Sequence, residues 1–404
     1  MFKKVLLGTG LAVLGVATLA SCGGENEVQG EVQGNEAKPL IFFNRQPSNP
    51  DTGEVDKTTM NHNDKTFYVG FDAAGGGAVQ GKLITDYFAK LTKAEADRNG
   101  DGILGYVLFV GDNGHNDSKA RTKGIREALG TWNGSTDPTN KKEGSIKVKD
   151  GELKVVELEA AECKNDSGAT WDATTAGNFA TTWEASHGKK IDAFVSNNDG
   201  MAMAVVNKSL NKDGSKYVPT FGYDANGDAL EAIKAGKLTG TVSQNVDAQA
   251  IGTLQVMRNL LDGLTPTDAL KKGITEKDQY GNKVSAEMVY KSEDKALLAL
   301  NSAITKDNVD SIGRDAGVQQ TNAPKKKVLL TLYNAGDNFL SSSYKPALQH
   351  YAKLMNLELN IVEGDGNSES SCLDKFVNLD QYDAYAVNMV KTNSGADYLR
   401  KINQ

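Results

Sequence analysis

Cysteine is scarce in this 404-residue chain: three residues, too few to form a disulfide scaffold. Histidine numbers only four, which leaves little room for a histidine-built metal centre. An excess of basic charge is also missing. Forty-five Lys and Arg face 52 Asp and Glu, a net charge of −7, which argues against nucleic acid as a partner because tracking phosphates requires a basic face. The chain contains no G-x-S-x-G, no H-E-x-x-H and no nucleophile–base arrangement, so hydrolase signatures are absent. No apolar run reaches the ~20 residues of a membrane-spanning helix. What remains is ordinary for a globular protein, 39% hydrophobic and 24% charged, which excludes a disordered chain. At ~100–200 residues per domain, two domains are expected, with three as the alternative, each large enough to bury a core.

The first residues read as an export signal and not as part of the fold. Lys3 and Lys4 precede a short apolar run, Val5 to Leu19, broken by Gly8, Gly10 and Gly15 and ending in Leu19-Ala20-Ser21-Cys22. This pattern resembles the lipobox of bacterial lipoproteins, with residues 1–21 removed and Cys22 becoming a lipidated N-terminus. The alternative is an ordinary signal peptide with an incidental cysteine. Residues 22–37 are polar, repeat Glu-Val-Gln-Gly, and read as a flexible tether. The expected product is exported and held to a membrane by lipid alone, facing the periplasm or the cell surface. Cys163 and Cys372 remain as a candidate pair that the sequence cannot decide.

Beyond the tether, β-rich apolar runs alternate with stretches of helical period. The runs lie at 40–44, 67–71, 106–110, 153–158, 193–196, 220–223, 240–242, 327–333, 357–362 and 384–389, and helical stretches include 76–91, 118–129, 201–210, 248–262 and 340–355. This alternation predicts an α/β protein with doubly wound parallel sheets, which bind ligands at the carboxyl ends of their strands. Polar residues gather at those ends: Asn44, His115, Asp117, Asn197-Asn198-Asp199 and Asp224. Gly75-Gly76-Gly77…Gly81 lacks the spacing of a nucleotide loop and reads as the close-packed start of a helix.

Five segments occur in order: Phe42-Phe43-Asn44-Arg45-Gln46-Pro47-Ser48, Phe67-Tyr68-Val69-Gly70, Gly114-His115-Asn116-Asp117…Arg121, Ser196-Asn197-Asn198-Asp199-Gly200-Met201-Ala202-Met203 and Phe221-Gly222-Tyr223-Asp224. Together they resemble the galactose/glucose-binding proteins, the soluble receptors of bacterial ABC sugar importers. The resemblance implies two doubly wound lobes joined by a three-strand hinge, the type I periplasmic binding protein fold. One departure is large. The family's opening segment, a strand leading into Tyr…Asp-Asn-Phe, reappears near the other end as Val328–Phe339, so the order is that of a circular permutation. The implied lobes are 38–70, 246–298 and 327–404 for lobe I, and 71–245 and 299–312 for lobe II. Residues 313–326 would link the family's ancestral termini. Such rearrangement is tolerated where termini lie close together at the surface.

The resemblance also implies a hexose site. A pyranose presents apolar C–H faces and a rim of hydroxyls, so its site needs flat aromatics and planar polar groups. Matching by motif, Phe339 and Trp171 would sandwich the ring, while Asn44, His115, Asp117, Arg121, Asn198, Asp224 and Asp337 would hold hydroxyls. Gln244 stands where the family carries Asn. The bland alternatives are a surface ion pair for Asp117 and Arg121, a loop cap for His115, and core or surface roles for Trp132 and Trp183.

Asp97-Arg98-Asn99-Gly100-Asp101-Gly102-Ile103-Leu104-Gly105 resembles the first nine positions of an EF-hand loop. The family completes such a calcium loop with a distant glutamate, and here the matching position is Asp192. The expected ligands are Asp97, Asn99, Asp101, the Ile103 carbonyl and Asp192. Gly105, at the ninth position, offers no side-chain oxygen, and an Asx-rich turn is the alternative. The leading expectation is a monomeric, lipid-anchored, non-enzymatic receptor that hands D-glucose or D-galactose to an ABC permease. The alternatives are a sensing or vestigial surface lipoprotein, and a glycoside-acting enzyme using Asp117 and Asp224.

Overall fold

The structure, a computed structural model, describes residues 37–137, 142–208, 217–266, 275–277, 283–285, 288–311 and 321–403. The leader, the tether with Cys22 and most of 313–326 lie outside the described residues. The strands are β1 (Leu40–Phe43), β2 (Thr66–Phe71), β3 (Ile103–Val110), β4 (Gly144–Val148), β5 (Gly151–Glu162), β6 (Ala193–Ser196), β7 (Thr220–Phe221) and β8 (Gly240–Ser243). They continue as β9 (Thr275–Lys277), β10 (Lys283–Ser285), β11 (Met288–Lys291), β12 (Ala296–Ala299), β13 (Ser302–Thr305), β14 (Lys326–Leu332), β15 (Leu357–Glu363) and β16 (Ala384–Val387). The helices are α1 (Lys57–Met60), α2 (Ala73–Phe88), α3 (Lys93–Ala96), α4 (Asn116–Ala128), α5 (Ala173–His187) and α6 (Asp199–Lys208). After them come α7 (Gly227–Lys234), α8 (Val246–Leu261), α9 (Lys345–Leu354), α10 (Ser370–Leu373) and α11 (Gly395–Ile402).

Two seven-stranded sheets organise these elements, ordered β11-β12-β2-β1-β16-β14-β15 and β13-β8-β7-β6-β3-β5-β4. Their central strands are buried and largely apolar, as parallel strands covered on both faces must be. Leu40-Ile41-Phe42-Phe43 of β1 and Ala384 to Val387 of β16 are all buried. The sheets are not wholly parallel. β11 at one edge, and β4 and β13 at both edges of the second sheet, run antiparallel to their neighbours. A short connection forces this: only two residues separate β4 from β5, enough for a hairpin and too few for a parallel crossover.

The second sheet, counted from β3, has the order 2-1-3-4-5 in strands β5, β3, β6, β7 and β8. The first sheet has the same order in β15, β14, β16, β1 and β2, counted from β14 and passing from β16 to β1. Both are doubly wound sheets of the kind that binds ligands at the carboxyl edge.

Helices α2 and α4 pack through glycine. A Cβ on Gly77 would fall 2.2 Å from the Ala120 carbonyl, and one on Gly124 would meet the backbone of Gly77 at 2.2 Å. The glycine run is therefore a helix contact, as its spacing suggests. Helix α5 has no conspicuous apolar period, because its buried stripe is made of small residues, Ala176, Gly177 and Ala180, ahead of Trp183. Trp183 is a core residue, stacked on Phe179 with centroids 5.2 Å apart.

The chain passes between the sheets from β2 to α2, from β8 to α8, from β12 to β13, and again between β13 and β14, where part of the connection lies outside the described residues. The β2–α2 and β12–β13 connections are tied together, and Tyr223 after β7 is tied to them. The Asp72 amide donates to the Ala299 carbonyl (3.2 Å), Asn301 Nδ2 donates to the Asp72 carbonyl (2.8 Å), and Tyr223 Oη donates to Asn301 Oδ1 (2.7 Å). Among the described residues, no helix is long and apolar enough to cross a membrane. Cys163 and Cys372 are both buried and free, in different lobes, so they do not pair.

Candidate functional site

The carboxyl edges of the two sheets face each other across a cleft. Asn44 follows β1, and Asp337 and Phe339 follow β14. From the other lobe come His115, Asp117 and Arg121 after β3, Trp171 after β5, Asn198 after β6, Asp224 after β7 and Gln244 after β8. All ten line one cavity, together with Arg45, Tyr333 and Leu340. Sequence reasoning missed these last three. Arg45 had a signal, since it adjoins Asn44 within the motif; Tyr333 and Leu340 read only as strand end and helix start.

Backbone geometry is unusual at this edge. Asn44 (φ 60°), Trp171 (φ 61°) and Asp224 (φ 119°) adopt positive φ, which a non-glycine residue holds at a cost of about 1–3 kcal/mol. Strain of this kind is tolerated where packing over-determines the conformation. Trp171 lies flat against Gly111, where any Cβ would come within 2.2 Å of the indole. Its ring meets His115 edge-on at 5.7 Å.

The polar groups form one connected set. Arg121 Nη1 donates to the Asn197 carbonyl (2.6 Å) and lies 3.4 Å from Asp224 Oδ1, with its guanidinium 3.7 Å from the centroid of Tyr223. Its ion-pair partner is thus Asp224 and not Asp117, and the exposed i,i+4 pair is not what forms. Gln244 Nε2 donates to Asp224 Oδ1 (2.7 Å). Asn198 Oδ1 accepts from the Met201 amide (2.9 Å), and Asn44 Oδ1 accepts from Asn388 Nδ2 (3.1 Å). Asp337 accepts from Tyr333 Oη (2.6 Å) and from the Leu340 amide (2.9 Å). His115 does cap α4, its Nδ1 accepting the Asp117 amide (3.1 Å), and it lines the cavity as well. Arg45 stacks on Tyr333 at 3.5 Å and donates to the Val390 carbonyl.

Burial dominates the titration of the set. It lowers the pKa of His115 well below 6.5, helped by Arg45 and Arg121, so the imidazole is neutral. It pushes Asp117 up to about 6, against the pull of Arg121 and Arg45, and Asp224 well above the usual carboxylate range despite Arg121. Three buried donors, Arg45 Nε, Arg121 Nε and Trp171 Nε1, have no hydrogen-bond partner among the described residues. Buried donors without partners are costly, and here they belong to one cavity. Its volume is about 30 Å³, room for about two water molecules. A larger polar ligand enters only if the lobes part, which the connections between the sheets allow as a hinge. Interlobe hydrogen bonds then have to break, among them Asn367 Nδ2 to the Ser167 carbonyl (2.7 Å) and Ser343 Oγ to Asn226 Oδ1 (3.1 Å).

The Asp97 loop lies away from the cleft. Asp97 accepts the Gly100 and Gly102 amides (2.8 and 2.7 Å), and Asp192 accepts those of Arg98 and Gly105 (2.7 and 2.8 Å). Asn99 and Asp101 bond each other at 2.8 Å. Burial and the nearby Asp97 push Asp192 up to about 7. All donors are oxygens, the chemistry of calcium. Among the described residues, no three His, Cys, Asp or Glu side chains converge as a metal cluster.

A family model described as a periplasmic binding protein domain matches residues 32–265, and a second with the same description matches 325–395. The D-galactose/methyl-galactoside binding periplasmic protein of Haemophilus influenzae is 31% identical over 236 residues, which cover 58% of this chain and 60% of that protein's length. A xylitol-binding protein of Mycolicibacterium smegmatis is 34% identical over 142 residues, covering 35% of this chain and 33% of its own. A solved ABC transporter solute binding protein from Clostridium phytofermentans, with bound β-D-glucose, is 17% identical with a TM-score of 0.41, covering 67% of this chain and 70% of its own.

Proposed function

This chain belongs to the periplasmic binding protein family, and on that premise we propose that it is an exported receptor that closes two lobes over D-glucose or D-galactose and delivers the sugar to an ABC importer. One observation carries the reading: three aromatic side chains and nine planar or charged polar ones converge on one cavity from the facing carboxyl edges of both sheets. Trp171 and Phe339 supply flat apolar surfaces for the ring faces. Arg121, Asn44, Asn198 and Gln244 bring donors, and Asp117, Asp224 and Asp337 bring acceptors, so each hydroxyl finds both. Because the sugar meets both lobes only when they are shut, binding favours the closed form, which is what a permease would read. The protein acts as a monomer, held to the membrane through lipid on Cys22, and does not transform the sugar.

The circular permutation is part of the proposal. It is supported by the two sheets sharing one strand order only when the first is counted from β14. Calcium at Asp97, Asn99, Asp101, the Ile103 carbonyl and Asp192 is a further part, supported by the all-oxygen donor set. Calorimetric titration of the chain lacking residues 1–21 with glucose, galactose and ribose tests the central claim. Heat with a hexose and none with ribose is expected. Silence with all three, or sugar turned into product during incubation, would overturn it.

A further inference from the structure

Beside the inner cavity lies a larger one, of about 330 Å³, which shares Arg45 and His115 as walls. Its other walls come from both lobes: Asp112, Glu162 and Thr170 from one, Asn367 and Thr392 from the other. It is built at the same carboxyl edges as the inner cavity, and its volume is within the range of small-molecule sites, from about 300 Å³ upward. We propose that this outer chamber is a second subsite and that the cognate ligand is a hexose glycoside, a disaccharide above all, whose second unit occupies it. The proposal rests on the hexose reading of the inner cavity and extends it.

The partition between the chambers suits a linkage that passes from one to the other. Arg45 is only 2% exposed, and its Nε has no partner among the described residues. His115 is neutral with Nδ1 already accepting the Asp117 amide, so Nε2 carries its hydrogen. Both shared side chains therefore offer donors only. A glycosidic oxygen, an acceptor without a hydrogen of its own, matches these donors and asks for no acceptor from the partition. Thr392, 4% exposed on the far wall, holds a hydroxyl with no partner among the described residues. The chamber mixes both charge signs, Asp112 and Glu162 against Lys164 and Lys391. This suits neutral hydroxyls better than an anion or a cation.

The test is calorimetric titration with glucose and galactose and then with maltose, cellobiose, lactose and melibiose, which vary epimer and linkage. At least one disaccharide should bind about tenfold more tightly than its parent hexose, the worth of one or two net hydrogen bonds. Thr392→Val should reduce that gain and leave hexose affinity unchanged, since Thr392 does not touch the inner cavity. Hexose binding that outranks every disaccharide would overturn the outer subsite alone, as would a variant that weakens both ligands equally. If no sugar binds, the hexose reading falls and the outer subsite falls with it.

Discussion

Arg121 and Asp224 form a buried ion pair at 3.4 Å across the lobe II wall of the cleft, with the guanidinium laid over Tyr223. They come from different elements, α4 and the loop after β7, and Gln244 holds the same carboxylate oxygen from a third. Truncating one partner of such a pair costs about 2–5 kcal/mol, largely because the other charge is left buried and unpaired. Arg121→Ala should weaken hexose binding by about 30-fold or more, and Arg121→Lys should restore little, because a lysine does not reproduce the planar stacked fork. Titration calorimetry reads both; unchanged affinity in Arg121→Ala would remove the pair from the site.

Asp117 titrates near pH 6 because it is buried. Its folded pKa is raised, so it is ionised and fully accepting above that value and protonated below it. Hexose affinity should therefore be flat above pH 7 and fall as pH drops through 6, by up to about tenfold per unit for one proton. The groups facing it are Arg121 and Arg45, which favour ionisation, neutral His115, and Asp224, which also titrates high. Asp117→Asn should shallow the profile to what Asp224 contributes. An identical profile in the variant would assign the proton elsewhere.

Trp171 and Gly111 are bound sterically, since no Cβ fits between them. Gly111→Ala should push the indole off its seat at a cost of about 1–3 kcal/mol. Tryptophan fluorescence should respond to hexose in the parent protein and respond weakly in the variant. A full response with parental affinity would show that Trp171 does not contact the sugar.

In lobe II, Arg126 makes a two-pronged pair with Glu157, both bonds 2.7 Å, and Tyr106 Oη donates to the same carboxylate at 2.7 Å. Glu157→Ala strands a buried guanidinium and should destabilise the fold by about 3–5 kcal/mol. Replacing both, Arg126→Met with Glu157→Leu, should recover much of the loss. Denaturant unfolding measures the difference, and a double variant no better than the single would refute the charge-stranding account.

If calcium occupies the Asp97 loop, saturating calcium should raise the melting temperature reversibly, by about 2.7 kcal/mol of stability at a hundredfold excess over Kd. Asp192→Asn should abolish the response. An unchanged melting temperature after exhaustive chelation and readdition would leave the loop as an Asx-rich turn.

Much of this was legible along the chain because it depends on local pattern. Continuous apolar runs such as Leu40–Phe43 announced covered parallel strands, and polar residues immediately after them announced a carboxyl-edge site, since strand ends project their next residues into the cleft. The ten site residues were named by motif, and the cavity gathers all ten. Other features had no local signature. The edge strands β11 and β13 are short, and their direction depends on what they dock against. Arg121 sits four residues from Asp117, a spacing that suggested a helical pair, yet it turns to Asp224, 103 positions away. The outer chamber was invisible for the same reason, because Thr392 and Asn367 belong to two separate loops and Glu162 to the end of β5. Sequence by itself determined which elements form and which chemistry their ends carry, since period and residue type act over a few positions. Only the tertiary structure decided which charge meets which, how much room the cleft leaves and that it has two compartments, because those depend on where two sheets stand across a hinge.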